Sequence, residues 1–181
     1  MNSKISTPRP PRQPDQVRQR LLDAATTLLS EGLPVSIGTI ADAAGVSKGA
    51  VQHHFGTREQ LFAALGELYV REFNDALALE DSSAPPALRY ARLSLKSPSY
   101  EDAKGWRAML VASVVDRDIA ERWSERIGEE RARDQLGSTN ALLVRLAADG
   151  LWLSDLLFTY EITDKKRDEL AMLMSDLLKK P

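Results

Sequence analysis

Between Gly49 and Gly56 the chain sets Ala50, Val51, Gln52, His53, His54 and Phe55, with Ser47 and Lys48 just upstream. Adjacent histidines suit two kinds of chemistry: holding a metal ion, or hydrogen bonding to the base edges and phosphates of a nucleic acid. Neighbouring residues on a helix point about 100° apart, so His53 and His54 cannot easily share one ion. They are the chain's two histidines and there is no cysteine, so neither type remains to complete a cluster. No metal and no cofactor are expected. An enzyme is disfavoured on the same inventory, because only scattered carboxylates are left to form a nucleophile–base pair. The absence of cysteine excludes disulfides and fits a reducing compartment, so a cytoplasmic location is expected.

The elements that must carry these side chains are two short helices. Ser36 can cap a helix over Ile37 to Ala44, Gly45-Val46 makes a tight turn, and Ser47 caps a second helix ending near Phe55-Gly56. Ile40, Ala41, Ala44, Val46 and Val51 are small or apolar where the helices would touch, which is the grammar of a helix-turn-helix. Eight residues at about 1.5 Å rise span about 12 Å, enough to follow a major groove for three to four base pairs. Ser47 and Lys48 sit where backbone N–H groups favour a phosphate. Gly49 and Ala50 are nearly bare and allow close approach. Gln52 and His53 project toward the groove, His54 lies at its margin, and Val51 and Phe55 face inward. The bland alternative is a pair of ordinary surface histidines.

Around this segment the chain reads as all-α. "STPRPPRQP" (Ser6 to Pro14) cannot be helical, so residues 1–14 are expected to be a flexible arm. A helix follows from about Asp15 with Val17, Leu21, Ala24, Ala25 and Leu28 on its buried face, ended by Gly32 and Pro34. Thr57 to Gln60 is a capping box opening a helix that runs to about Leu79. "EDSSAPPA" (Glu80 to Ala87) is a composition break. Further helices are expected at about 86–96, 100–115, 117–134, 139–160 and 164–179, punctuated by Ser97-Pro98-Ser99 and Gly137-Ser138. The expected domains are the arm at 1–14, a helix-turn-helix unit at 15–60 and a second helical unit at 61–181.

Charge is unevenly spread. Net charge is −2, yet the first twenty residues carry Lys4, Arg9, Arg12, Arg18 and Arg20 against Asp15 alone. A basic arm on a mildly acidic body suggests an anionic partner at that end; a solvated tail explains it equally well. No membrane partner is expected. The most apolar stretch, Ala141 to Phe158, includes Arg145, Asp149 and Asp155, which a bilayer centre would penalise, and the N-terminus has no apolar core of a signal peptide.

"VSIGTIADAAGVSKGAVQHHFGTREQLFAAL" (Val35 to Leu65) closely resembles the DNA-binding domain of the TetR/AcrR family of transcriptional regulators. The matching residues are Ile40-Ala41, Ala43 to Ser47, Lys48-Gly49, His54-Phe55 and Leu61, and with the flanking helices the match covers about residues 15–65. Gln52 stands where the family often has Tyr, Ala50 where Thr or Ser is common, Gly38 where a longer residue is usual, and Arg58 where Lys is usual. The resemblance implies contacts to a double-stranded DNA operator from Ser36, Thr39, Ser47, Lys48, Gly49, Ala50, Gln52, His53, His54 and Arg58. It also implies a homodimer formed by the last two large helices, with Leu146, Leu153, Leu157, Leu170, Leu173, Met174 and Leu177 at the seam. Independently, helix 139–160 is apolar nearly all round, more than a single-sided core can satisfy. Lastly, the family implies a pocket for a small-molecule effector, for which Trp106, Met109, Ser113, Trp123, Trp152, Asp155 and Phe158 are the candidates. Asp155 could orient a polar or cationic ligand. Arg145 and Asp149 are spaced i, i+4 and are expected to pair; Asp118–Arg122 and Glu129–Arg133 read as a solvated face. The reading is a ligand-responsive repressor. Its alternatives are an activator of the same fold, or a helical scaffold whose helix-turn-helix binds protein.

Overall fold

A computed structural model describes residues 13–96, 100–135 and 138–179. The arm over 1–12, including Lys4, Arg9 and Arg12, the Ser97-Pro98-Ser99 break and Gly137 lie outside the described residues. Among the described residues every regular element is a helix: α1 (Gln13–Ser30), α2 (Ile37–Ala44), α3 (Lys48–Phe55), α4 (Arg58–Ala78), α5 (Pro86–Leu95), α6 (Tyr100–Val115), α7 (Arg117–Arg131), α8 (Thr139–Leu157) and α9 (Asp164–Leu178).

Local chemistry sets most of the ends. After α1, Gly32 takes φ +68°, and the Leu33 N–H reaches back to the Leu28 carbonyl at 2.8 Å, the left-handed closure that glycine favours. Side-chain oxygens of Ser36, Ser47, Thr57, Asp116, Ser138 and Thr163 each accept a backbone N–H at the start of the helix that follows, satisfying donors with no partner inside the helix. Three boundaries differ from expectation. The first helix begins at Gln13 rather than Asp15. α7 stops at Arg131, short of 134, because Arg133 folds back to Glu130 and Asp134 turns its carboxylate to Arg145. α8 stops at Leu157 rather than 160, because Phe158 takes a left-handed φ of 54°.

Two buried clusters hold the helices together. The larger joins α1 to α4 through Leu21, Leu22, Leu29, Ile40, Val51, Phe55, Phe62 and Leu65, and it continues into Ala108, Met109 and Ala112 of α6 and Ile119 of α7. The expected division at residue 60 falls in the first turn of α4, inside this continuous core. α6 lies along α1, where Ala24, Ala25, Ala108 and Ala112 present only methyl groups and let the axes come close. The smaller cluster joins α5, α8 and α9 through Ala87, Leu88, Ala91, Ala141, Val144, Ala148 and Met174. Burial pushes the Tyr69 phenol up to about 12; its oxygen lies 3.4 Å from Thr26 Oγ1, tying α4 to α1.

Candidate functional site

The helix-turn-helix is built from its caps outward. Ser36 Oγ accepts the Thr39 N–H at 3.1 Å, and Thr39 Oγ1 accepts the Ser36 N–H at 2.9 Å while donating to the Pro34 carbonyl. These two hydroxyls, expected to face DNA, are thus engaged in closing the start of α2. Gly45, at φ +63°, turns the chain by donating to the Ala41 and Asp42 carbonyls. From α1, Arg20 donates to the Ala44 carbonyl, pinning the turn to the first helix. Ser47 Oγ accepts the Ala50 N–H at 3.1 Å and starts α3.

On α3, Val51 and Phe55 are buried in the larger core, while Lys48, Gly49, Gln52 and His53 are exposed and Ala50 and His54 are half-buried. The histidine rings stand edge-on, 5.5 Å apart. The outer face of α3 therefore carries a cation, a bare backbone and two groups able to donate and accept hydrogen bonds. Arg58 is used inward: its Nε donates to the Val35 carbonyl at 3.3 Å and its guanidinium lies 4.1 Å from the Phe62 ring centroid, so it ties α4 to the entry of α2. Sequence reasoning missed the role of Gly38. A β-carbon there would stand 3.3 Å from Lys48 Cε, so the missing side chain leaves the lane along which Lys48 runs.

The second site is a cavity of about 730 Å³ between α4, α5, α6, α7 and α8. Of the expected ligand residues it brings together Trp106, Ser113, Trp123 and Trp152. Three others are elsewhere. Met109 is buried in the larger core. Asp155 pairs with Arg167 at 2.5 Å, so its charge is already spent. Phe158 is exposed beyond the end of α8 beneath the Arg107 guanidinium. In their place come Phe73, Tyr90 and Asp149. Asp149 was legible only as the residue three before Trp152, on the same side of α8; nothing in the sequence ties α4 and α5 to that side.

Charge pairing also departs from expectation. Arg145 pairs with Asp134 at 2.5 Å, both side chains nearly buried, and donates to the Glu130 carbonyl at 3.0 Å. Asp149 instead accepts the Tyr90 hydroxyl. Burial raises the Asp149 carboxyl above the ordinary range, opposed by that hydrogen bond and by the Arg145 charge. Burial, reinforced by Asp149, likewise pushes the Tyr90 phenol up. Arg133 pairs with buried Glu130 at 2.8 Å rather than with Glu129, and Arg122 reaches toward Glu67 on α4. Of these pairs only Arg145–Asp134 joins separate elements in a buried setting.

On the expected seam, Leu146, Leu153, Leu157 and Leu173 are exposed, as are Leu142, Leu143 and Met172. Leu170 is half-buried. Met174 and Leu177 turn into the smaller core of their own chain instead, because α9 uses that side to cover α5 and α8.

A helix-turn-helix displayed on a larger helical body with an aromatic-lined cavity fits a DNA-binding regulator, and the comparisons show that class. Residues 21–65 match the description "Bacterial regulatory proteins, tetR family", and residues 84–179 match "Tetracyclin repressor-like, C-terminal domain". The chain is 27% identical over 175 residues to the HTH-type transcriptional regulator BetI of Stenotrophomonas maltophilia (strain R551-3), covering 85% of this chain and 88% of that one. It is 29% identical over 160 residues to the HTH-type transcriptional repressor KstR2 of Mycolicibacterium smegmatis (strain ATCC 700084 / mc(2)155), covering 82% and 74%. A solved structure of the multidrug binding protein EbrR complexed with malachite green superposes with a TM-score of 0.68 at 25% identity, covering 92% of this chain and 98% of that one. The chain belongs to the TetR family of transcriptional regulators, which are DNA-binding proteins and not enzymes. No described helix is long and apolar enough to cross a membrane.

Proposed function

We propose that the protein is a homodimeric repressor that binds a pseudo-palindromic operator and leaves it when a small molecule occupies the cavity. The observation that carries this reading is the division of α3: Val51 and Phe55 are locked into the core while Lys48, Gly49, Gln52 and His53 face out together. An eight-residue helix so oriented fits the major groove, with Lys48 on phosphate and Gln52 and His53 on base edges or phosphates. Ser47, Ala50 and His54 flank the contact, and Ser36, Thr39 and Arg58 act by holding the head in shape.

Dimerisation is supported by the exposed leucines of α8 and by exposed Met172 and Leu173 of α9. Leu142, Leu146, Leu153 and Leu157 share one face of α8, an apolar face of this kind needs a cover, and a second copy covering it supplies the two-fold symmetry that a palindrome mirrors, with half-sites about 34–36 Å apart. The coupling route runs through α6. Trp106 lines the cavity, and two residues further on Ala108 begins the stretch that packs into the core of the head, so a guest that shifts Trp106 also shifts the helix against α1. The protein acts in the cytoplasm, where its DNA is. Selection of bound duplexes from a random library tests the reading: recovery of an inverted repeat supports it, and uniform recovery of all sequences overturns it. Repeating the binding with a metabolite panel then finds the releasing ligand.

A further inference from the structure

Five aromatic rings line the cavity. Trp106 stands edge-on to Trp123 and Trp152 with centroids 6.0 and 6.4 Å apart, Phe73 meets Trp123 at 5.1 Å and Trp106 at 6.5 Å, and Tyr90 meets Phe73 at 6.0 Å. Phe73 and Tyr90 already carry guanidinium groups, Arg126 at 5.3 Å and Arg145 at 4.9 Å from their centroids. Those cations are paired from behind, Arg126 with Glu129 at 3.7 Å and with Glu130 at 2.7 Å, which it shares with Arg133, and Arg145 with Asp134 at 2.5 Å. The indoles are half-buried and turned to the cavity. One carboxylate, Asp149, lines the same wall beside Trp152, held there by the Tyr90 hydroxyl. Gly128, Arg131 and Ala132 add the last turn of α7, where a helix end presents partial negative charge. The opposing features are Arg131, an exposed cation in the lining, and Arg145, whose charge acts on Asp149.

We propose that the cavity takes an organic cation, a quaternary or delocalised charge wrapped in apolar groups, seated among the three indoles with its charge against Asp149. This rests on the reading of the cavity as the effector site and adds the class of ligand. Aromatic faces attract a cation through their quadrupole and ask for no hydrogen bond in return. Such a surface discriminates by charge at equal shape, and the carboxylate reinforces the discrimination where water is partly excluded. A neutral guest of the same size would gain only the apolar contact, and an anionic one would meet the Asp149 charge.

Tetraphenylphosphonium and tetraphenylborate have nearly the same shape and opposite charge, so they isolate the term in question. The chain has three tryptophans and all three line the cavity, so quenching of intrinsic fluorescence reads occupancy directly. The expected result is saturable quenching with the phosphonium preferred by roughly tenfold or more. Asp149→Asn, which keeps an acceptor for Tyr90, should narrow that preference to the part the indoles supply, and Arg131→Gln should widen it. Equal affinity for the two ions, a preference left undiminished by Asp149→Asn, or no saturable quenching by the phosphonium overturns the assignment. Anisotropy of the selected duplex separates the two readings. Selective phosphonium binding that leaves the duplex bound keeps the cation assignment and removes the effector role. Release of the duplex by uncharged compounds, with no phosphonium preference, does the reverse.

Discussion

Lys48 runs across the bare face of Gly38: a β-carbon on Gly38 would lie 3.3 Å from Lys48 Cε and 3.5 Å from Nζ. The reach of the first cation on α3 is therefore set from α2. Gly38→Ala should leave the fold intact or stabilise it by up to about 1 kcal/mol, since alanine is the better helix former. The flexible tip of Lys48 then gives way. Duplex affinity, read by anisotropy, should fall several-fold, and Lys48→Ala should lower the salt slope by about 1. Unchanged affinity in both variants would remove Lys48 from the contact.

Gly56 and Gly32 both sit at positive φ, +67° and +68°, but in different surroundings. A β-carbon on Gly32 would meet nothing, whereas on Gly56 it would run into Gln60 Oε1, the acceptor for the Thr57 N–H at 3.0 Å. Gly32→Ala should cost about 1 kcal/mol, the penalty of the left-handed region alone. Gly56→Ala should cost more, about 2–3 kcal/mol, because Gly56 at ψ −73° lies outside the left-handed region and its β-carbon also dislodges the capping box that starts α4. Urea denaturation of the two variants checks the ordering; equal losses would mean that neither the Gln60 contact nor the Gly56 backbone resists the β-carbon.

The reading head was legible because its determinants are local. Ser36, Gly45, Ser47, Gly56 and the Thr57–Gln60 box act within a few residues of themselves, and the apolar spacing of α1 and α4 names most of the face they bury. The cavity was legible only in part. Its tryptophans stand out as large side chains, but Phe73, Tyr90 and Asp149 come from three helices, and only tertiary packing puts them together. The same limit misled the pairing of Arg145. Asp149 is the nearer partner along the helix, yet Asp134 arrives from the α7–α8 loop and is buried with it. Helix α8 shows both outcomes at once: apolar residues on nearly all sides are visible in the sequence, but the split into buried Val144, Ala148 and Leu151 and exposed Leu142, Leu146 and Leu153 depends on where α5 and α9 pack.

The Arg145–Asp134 pair should therefore behave as a buried charge network. Removing one partner leaves the other charge uncompensated, at a cost of about 3–5 kcal/mol. Asp134→Ala and Arg145→Met should each lose stability on that scale in urea. The double replacement Arg145→Met with Asp134→Leu should lose clearly less than the sum. Additive losses would show that the two side chains do not depend on each other.

The exposed leucines of α8 make a separate prediction about assembly. Leu146 and Leu157 remain 58% and 55% exposed in a single chain, so a charge there costs little unless a partner covers them. Leu146→Glu should leave helical content by circular dichroism unchanged and convert a dimer to a monomer in sedimentation. Affinity for the full inverted repeat should drop toward that for a half-site. A variant that sediments as the unaltered protein does would place the interface elsewhere.

Asp149 lets stability and ligand choice be tested on one side chain. Its folded-state pKa is raised, chiefly by burial, against the lowering effects of the Tyr90 hydrogen bond and the Arg145 charge. A carboxyl that holds its proton more tightly when folded stabilises the fold only while protonated. That contribution is complete below the unfolded value of about 3.9 and is lost as pH rises through the folded one. At neutral pH the ionised group is therefore a relative burden, and Asp149→Asn should raise Tm, the gain shrinking as the medium is acidified toward pH ~4. Tyr90 stays a protonated donor throughout, since burial also holds its phenol up. If the carboxylate serves as counter-charge to a bound cation, tetraphenylphosphonium should reverse the order, raising the Tm of the unaltered protein more than that of the variant. A variant less stable at neutral pH, with no change on acidification, would mean that Asp149 is there for its hydrogen bond and not for its charge.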